Sequence, residues 1–330
     1  IYSADLMGKV KKVTKGDHML TMTDLVGSNA VASWSNPSNP NDIVSFSVEK
    51  TNNIKRLTEV NKDIFYNVEF GQIEEITYKS LDNKKVQGWI VKPPQFNSNK
   101  KYPLVLRIHG GPHSMYNVGF NYNFQLHAAQ DQVVLYTNPR GSTGYGYDFA
   151  NAIQNAYPGN DYDDIMAGVD EVISKGYIDV NKMYVYGGSG GGVLTSWIVG
   201  KTDRFASASV NYPVTNWFSF VGTTDGSVWY NNFKKYPWED PSEHIRRSPL
   251  MYVGNVKTPT MLMCGEEDLR TPISQTEEYY QALKMNKVPT VMIRFNEEYH
   301  GTSRKPSNFL RTHGYINAWF DKHSTRKESN

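Results

Sequence analysis

A glycine-rich turn in the middle of the chain decides the fold: residues 183–197 read MYVYGGSGGGVLTSW, a short apolar strand that runs through glycines into an apolar helix. Gly187, Ser189 and Gly191 make the pattern G-x-S-x-G. Between a strand and a helix this pattern predicts a nucleophile elbow, a turn so tight that its serine takes a strained conformation. The alternative is a phosphate-binding turn, but no G-K-[ST] follows and the spacing is not that of a dinucleotide loop. The sequence therefore indicates a nucleophilic serine.

A serine hydroxyl is a weak nucleophile at its ordinary pKa, so it needs a base within hydrogen-bond reach. Residues 264–272 read CGEEDLRTP after an apolar segment, and residues 295–301 read FNEEYHG after the next one. The second segment offers His300 as the base. The first offers three candidate acids to orient it: Glu266, Glu267 and Asp268. Because the carboxyl ends of parallel strands meet at one edge of a sheet, we expect these groups to gather beside the serine.

Other histidines compete for the role of base. His127 lies in a predicted helix between Leu126 and Ala128, where packing is the better interpretation. Three more lie in a polar loop or in the last helix, and we expect them on the surface: His244, His313 and His323.

A third strand end, residues 107–113 with the sequence RIHGGPH, predicts an oxyanion-binding loop. Hydrolases with a nucleophile elbow use a backbone N–H from this loop together with that of the residue after the serine. Here these residues would be Gly111 and Gly190. Metal binding by His109 and His113 is the alternative, but no helix underlies them and no acid or cysteine is near in sequence.

The order of the segments predicts an α/β-hydrolase fold, a mostly parallel doubly wound sheet, over residues 61–330. Its predicted strands are 74–81, 86–92, 102–108, 133–137, 183–186, 260–264 and 290–295, and its predicted helices are 164–174, 273–285 and 306–323. Residues 1–60 predict a separate antiparallel β segment with strands at 10–13, 19–22, 30–34 and 43–48.

Composition excludes some classes of partner. The 330 residues hold 35 Lys plus Arg against 33 Asp plus Glu, a net charge of +2, so no strong field would attract nucleic acid or an anionic membrane. No apolar run is long enough for a membrane span. The single cysteine, Cys264, follows an apolar run and is expected to be buried and inert. A chain without disulfides suits a reducing compartment, so we expect a cytoplasmic location.

The chain resembles the catalytic part of the prolyl oligopeptidase family of serine peptidases, most of all its acylaminoacyl-peptidase branch. The segments that carry the resemblance occur in the expected order: 109–113 (HGGPH), 138–146 (NPRGSTGYG), the G-x-S-x-G turn, 265–272 (GEEDLRTP) and 298–301 (EYHG).

The resemblance implies a triad of Ser189, Asp268 and His300. It also implies that residues 1–60 are the last blade of a β-propeller and that the chain is the tail of a longer protein. Residues 212–220, YPVTNWFSF, resemble the family's S1-lining stretch, and Arg270 matches a position that binds a substrate carbonyl in some relatives. The implied pocket walls are Val214, Trp217 and Phe220.

Two departures qualify the implied specificity. The residue after the nucleophile is usually bulky in this family, but here it is Gly190, so a pocket wall is lost. No acidic pair suited to a free substrate amino group is evident, so dipeptidyl-peptidase specificity is unsupported.

We therefore expect a serine hydrolase that cleaves amide bonds with an apolar acyl side through an acyl-enzyme intermediate. A carboxylesterase acting on small esters and a binding protein with a vestigial triad are the alternatives. A small peptide or ester is the expected partner, self-association stays open, and no metal or organic cofactor is implied.

Overall fold

The computed structural model describes residues 1–50 and 53–326. Numbered along the chain, its strands are β1 (Tyr2–Ala4), β2 (Val10–Lys12), β3 (Met19–Val26), β4 (Asn29–Asn36), β5 (Asn39–Ser47), β6 (Lys55–Arg56), β7 (Gln72–Lys79), β8 (Lys85–Lys92), β9 (Tyr102–Ile108), β10 (Val133–Asn138), β11 (Ile178–Gly188), β12 (Ser207–Asn211), β13 (Thr260–Gly265) and β14 (Thr290–Phe295). Its helices are α1 (Lys62–Phe65), α2 (Tyr122–Ala129), α3 (Tyr147–Asn151), α4 (Asn160–Ser174), α5 (Gly190–Lys201), α6 (Trp217–Phe220), α7 (Ser242–Arg246), α8 (Ile273–Met285) and α9 (Pro306–Lys322), with 3-10 turns at Ser227–Asn232 and Pro249–Asn255.

The main sheet has eight strands in the order β14-β13-β12-β11-β9-β10-β8-β7. The strands from β14 to β10 pair in parallel, and β8 and β7 add an antiparallel edge. In a parallel sheet all the carboxyl ends lie at one edge, and there β9, β11, β13 and β14 are followed by the four segments that the sequence analysis singled out. The structure confirms the predicted α/β-hydrolase fold.

Helices cover both faces of this sheet, which explains why its strands read as continuous apolar runs rather than as alternating patterns. Along β9, Leu104, Leu106 and Ile108 belong to the core on one face. Val105, from the same strand, belongs to the core on the opposite face, which also contains Phe320 of α9.

The N-terminal segment forms a separate antiparallel sheet, β3-β4-β5-β6, beside the two-stranded pair β1-β2. Its own core is small: Val13, Ala30, Ala32, Val44 and Phe46. Gly119 of the hydrolase part approaches it closely, because a Cβ added there would lie 3.2 Å from the Met19 side chain. Where one domain ends and the next begins, at about residue 60, stays a prediction.

Three sequence-based expectations differ from the structure. The central strand β12 was not predicted, because its sequence SASVN carries little hydrophobicity, although all five residues are buried. The surface positions expected for two histidines were wrong. His244 is buried because its ring packs against Phe233 at 4.1 Å, and His313 is buried beside Phe309 on α9.

The expectations for His127 and Cys264 are confirmed. His127 is a buried packing residue whose ring bonds to Gln132 and Tyr186, and Cys264 is buried with a free thiol. His323 is half-buried against Trp319. Across the part of the chain that the structure describes, no helix combines the length and the apolar character needed to cross a bilayer.

Candidate active site

Ser189 sits in the turn between β11 and α5 with φ 58° and ψ −123°, a conformation that costs free energy for any residue with a side chain. The turn is closed by neighbours that have no room for one. A Cβ at Gly187 would lie 2.5 Å from the carbonyl oxygen of Gly191, and one at Gly191 would lie 2.4 Å from that of Ile108. The strained serine and its glycines therefore form the geometry that the G-x-S-x-G pattern predicted.

The structure brings three of the candidate residues into one hydrogen-bonded line. The Ser189 Oγ lies 2.9 Å from Nε2 of His300, and Nδ1 of His300 lies 2.9 Å from Oδ2 of Asp268. With Nδ1–H donating to the carboxylate, Nε2 is left to accept the serine proton. The imidazole is 32% exposed, whereas the Asp268 side chain is fully buried. This arrangement gives the serine a base that substrate can reach and gives the base a fixed orientation.

Asp268 alone among the three candidate acids contacts His300. Its Oδ1 accepts the backbone N–H groups of Arg270 and Thr271, each at 2.9 Å, and its Oδ2 accepts the Thr271 hydroxyl at 3.0 Å. Glu266 instead forms an exposed ion pair with Arg294. These hydrogen bonds fix the position of the Asp268 carboxylate and the face that it presents to the imidazole.

The loop that carries His300 is anchored by the residue two positions before it. The Glu298 carboxylate is buried and accepts hydrogen bonds from the backbone of Arg304 and Lys305 and, at 2.7 Å, from the Asn308 amide. The Glu298 backbone also touches the end of β13, since a Cβ at Gly265 would lie 2.2 Å from its carbonyl oxygen. The acid-bearing and histidine-bearing loops are therefore packed together through main chain.

Gly111 and Gly190, the two predicted oxyanion-binding residues, approach each other closely. A Cβ added to Gly190 would lie 3.0 Å from the N, C and O atoms of Gly111. The preceding Gly110 is also near the nucleophile, because its Cβ would lie 3.3 Å from that of Ser189. The loop after β9 thus lies against the start of α5, whose N-terminal dipole favours negative charge. Their role in binding an oxyanion stays a prediction.

The two histidines of this loop are held by the loop after β10. His109 Nε2 lies 3.0 Å from the Ser142 hydroxyl, and His113 Nδ1 lies 3.0 Å from the carbonyl oxygen of Gly141. Their ring nitrogens are thus engaged in positioning, the role that we assign them over metal binding.

Arg140 in turn fixes the loop after β10. Its guanidinium bonds to Asp164 on α4 at 2.7 and 2.8 Å and to Asp82 of the β7–β8 hairpin at 2.9 Å. Hydrogen bonding to Arg140 lowers the pKa of Asp82 to about 2. The NPRGSTGYG segment therefore links the hairpin and α4 to the loop beside the nucleophile.

Two tyrosines make contacts at the site that the sequence did not predict. The Tyr157 hydroxyl donates to the carbonyl oxygen of Gly190 at 2.9 Å and so supports the first turn of α5. The Tyr212 ring meets the His300 ring edge-on at 5.2 Å, and its hydroxyl occupies the space where a Gly188 side chain would be. Tyr212 has φ 34°, a strained backbone conformation directly after a strand. This strain marks Tyr212 in the structure, but the sequence does not reveal it.

The implied pocket walls lie together, but inside the core. Val214, Trp217 and Phe220 are almost fully buried, and Trp217 packs against the rings of Phe220, Phe233, Trp229 and Tyr157. Their role as a substrate pocket stays a prediction.

Arg270 is half-exposed and its Nε donates to Asp225 at 2.6 Å. Its backbone N–H donates to Asp268, whereas its side chain pairs with Asp225. Its role in binding a substrate carbonyl also stays a prediction.

Comparisons with known proteins agree with this geometry. The sequence profile of peptidase family S9, the prolyl oligopeptidase family, matches residues 118–327. The chain is 39% identical over 298 residues to the uncharacterised peptidase YuxL of Bacillus subtilis, covering 89% of this chain and 45% of that protein. It is 34% identical over 236 residues to acylamino-acid-releasing enzyme 1 of Oryza sativa, covering 68% of this chain and 30% of the enzyme.

Among solved structures, the acylaminoacyl peptidase of Pyrococcus horikoshii superposes with a TM-score of 0.89 at 25% identity, covering 98% of this chain and 52% of that one. The chain thus spans about half the length, or less, of these relatives. A profile match over most of the chain and a relative at 39% identity lead to one conclusion: this chain belongs to the prolyl oligopeptidase family of serine peptidases.

Proposed function

We propose that this chain hydrolyses amide bonds by acyl transfer through Ser189. The observation that carries the proposal is the hydrogen-bonded line from the Ser189 Oγ through the His300 ring to the buried Asp268 carboxylate. His300 Nε2 takes the hydroxyl proton while the oxygen attacks the substrate carbonyl, and the resulting imidazolium is stabilised by Asp268. The proton then passes to the leaving amine. Water repeats the sequence on the acyl-enzyme and returns Ser189 to its starting state.

Negative charge develops on the carbonyl oxygen during both steps. In the proposed mechanism the backbone N–H groups of Gly111 and Gly190 hold this oxygen. Loss of one such donor typically costs about 3 kcal/mol of transition-state stabilisation. The close packing of these two backbones supports the assignment, because donors that cannot move apart need no reorganisation when the charge appears.

The substrate that we propose is a short or N-acylated peptide with an apolar group on the acyl side. Support comes from two sources. The relatives include an acylamino-acid-releasing enzyme and an acylaminoacyl peptidase. The aromatic cluster around Trp217 is joined to the site by Tyr157, which bonds to Gly190. An apolar acyl side chain would gain about 25 cal/mol for each Å² that it buries in such surroundings.

The first experiment tests whether Ser189 is a nucleophile. The folded chain is treated with a fluorophosphonate probe, and the labelled residue is identified by mass spectrometry. We expect labelling at Ser189 that disappears in Ser189→Ala and is strongly slowed in His300→Gln. Ser196→Ala is the matched control, because this serine is on the following helix and bonds to the carbonyl oxygens of Gly192 and Val193. Absence of labelling in folded protein would refute an active triad.

The second experiment separates peptidase from esterase, since the triad serves both reactions. We compare kcat/KM for an acetyl-phenylalanine p-nitroanilide with kcat/KM for p-nitrophenyl acetate. Turnover of the anilide, lost in Ser189→Ala, supports the peptidase proposal. Turnover of the ester alone, in this chain and in a longer form, favours the carboxylesterase alternative.

A further inference from the structure

A cavity whose lining includes no triad residue lies beside α7. Its volume is about 500 Å³, which is the size that holds a small organic molecule. The residues that line it and matter here are Phe233, Lys234, Lys235, His244, Arg246 and Arg247.

His244 is a buried polar residue in the wall of this cavity. The side chain is 0% exposed, yet among the described residues neither Nδ1 nor Nε2 has a hydrogen-bond partner of normal geometry. Burial lowers the pKa of the ring, opposed by the Asp240 backbone and by the Asp240 and Glu243 carboxylates, so burial favours the neutral imidazole. A neutral imidazole has one N–H to donate and one lone pair to accept. Buried groups of this kind are normally satisfied, and because this ring has no exposed surface it can report on the cavity without contacting its occupant.

The charge around the cavity is positive. Four basic side chains line it against two acidic ones, Asp240 and Glu243. The Glu243 carboxylate is already shared between Arg246 at 2.6 and 2.8 Å and Arg247 at 2.9 Å. Lys234 and Lys235, which also line the cavity, are exposed to solvent.

The deeper arginine is held in place. Arg247 is 8% exposed, and its Nη1 donates to the carbonyl oxygen of Pro158 at 2.6 Å. A planar guanidinium that is fixed in this way is suited to recognise a carboxylate or a phosphate. Beside it, the Phe233 ring offers an apolar surface.

We propose that this cavity binds a small organic anion, with the anionic group beside Arg247 and the two lysines, the apolar part towards Phe233, and His244 in the wall behind them. A carboxylate and a phosphate share this chemistry, and the test below distinguishes them. The site does not depend on the proposed hydrolase activity.

The experiment follows the eight histidines of the chain by NMR after labelling with 13Cε1-histidine. The signal of His244 is assigned by its loss in His244→Gln. Benzoate, phenyl phosphate and the neutral analogue benzyl alcohol are titrated at 0.15 M NaCl. We expect benzoate or phenyl phosphate to shift the His244 signal in a saturable way with a Kd below about 1 mM, while benzyl alcohol binds at least tenfold more weakly. Whichever anion binds more tightly identifies the class.

A double variant of the two exposed lysines, Lys234 and Lys235, tests the role of positive charge. Lys234→Gln with Lys235→Gln should weaken anion binding about five- to tenfold, the effect of removing two exposed charges of modest strength each. Lys100→Gln with Lys284→Gln removes the same charge from distant exposed positions and should leave the Kd unchanged. The proposal is overturned if no anion shifts the His244 signal, if benzyl alcohol binds equally well, if both lysine pairs behave alike, or if only the His300 signal moves.

Discussion

Asp161, in the first turn of α4, offers a stability prediction whose size follows from its surroundings. The side chain is 1% exposed, its Oδ1 accepts the Gly159 N–H at 2.5 Å and its Oδ2 has no partner among the described residues. Burial raises its pKa from 3.8 to about 7. The folded state holds this proton more tightly than the unfolded state. The free energy of unfolding is therefore undiminished by Asp161 below pH 4 and falls as the pH rises towards 7. The full loss is about 4 kcal/mol, from three pKa units at 1.36 kcal/mol each.

Asp161→Asn keeps the acceptor for Gly159 and cannot ionise, so it should escape this loss. Its amide introduces a new buried donor, but the cost of that donor does not vary with pH and cancels between two conditions. The free energy of unfolding, measured by urea titration with tryptophan fluorescence, should therefore shift in favour of the variant by about 3 kcal/mol between pH 4.5 and pH 8.5. Asp148→Asn, an exposed acid in the first turn of α3, is the control and should shift by less than about 1 kcal/mol. An Asp161→Asn effect that is equal at both pH values would refute the reasoning.

Three further predictions concern single contacts. Gly190→Ala places a Cβ 3.0 Å from the Gly111 backbone and should lower ester kcat/KM at least about fivefold, the rate equivalent of the lower end of 1–3 kcal/mol of overpacking. Gly254→Ala, in open space, should not lower it, and equal rates for the two variants would mean that the Gly111 loop can move aside. Tyr157→Phe leaves the Gly190 carbonyl without its donor and should cost about 1–2 kcal/mol of unfolding free energy in urea, and an unchanged midpoint would contradict this. Burial raises the pKa of Cys264 to about 12, so Ellman's reagent should label it in urea but not in native protein at pH 8, and rapid native labelling would disprove its inertness.

The fold could be predicted in most of its parts because its signals are local. The apolar runs of β9 and β14 and the helical spacing of α8 give the observed bounds without correction. The strand β12 could not be found in this way. Ser207 and Ser209 are buried by their position between two strands and two helical layers, not by any preference of their own.

In the candidate site, too, local signals could be predicted and contacts between distant segments could not. Ser189, Asp268 and His300 could be placed together because each follows a strand of one parallel sheet, and chain order plus sheet topology is enough for that. The contacts of Tyr157 and Tyr212 could not be predicted, since each depends on one hydroxyl or ring crossing from a distant segment. The burial of His244 likewise results from the packing of α7 on Phe233, and no local sequence pattern predicts that contact.

The contact between Gly190 and Gly111 has a consequence for how such a site can change over generations. The Gly190 and Gly111 backbones touch there, so a side chain at position 190 would require the loop after β9 to shift by a few tenths of an ångström. A library of variants that seeks new substrates would therefore have to vary position 190 together with that loop. Single substitutions that survive selection should instead accumulate among the aromatic residues around Trp217, where a ring can be exchanged for a smaller one without displacing the polypeptide backbone.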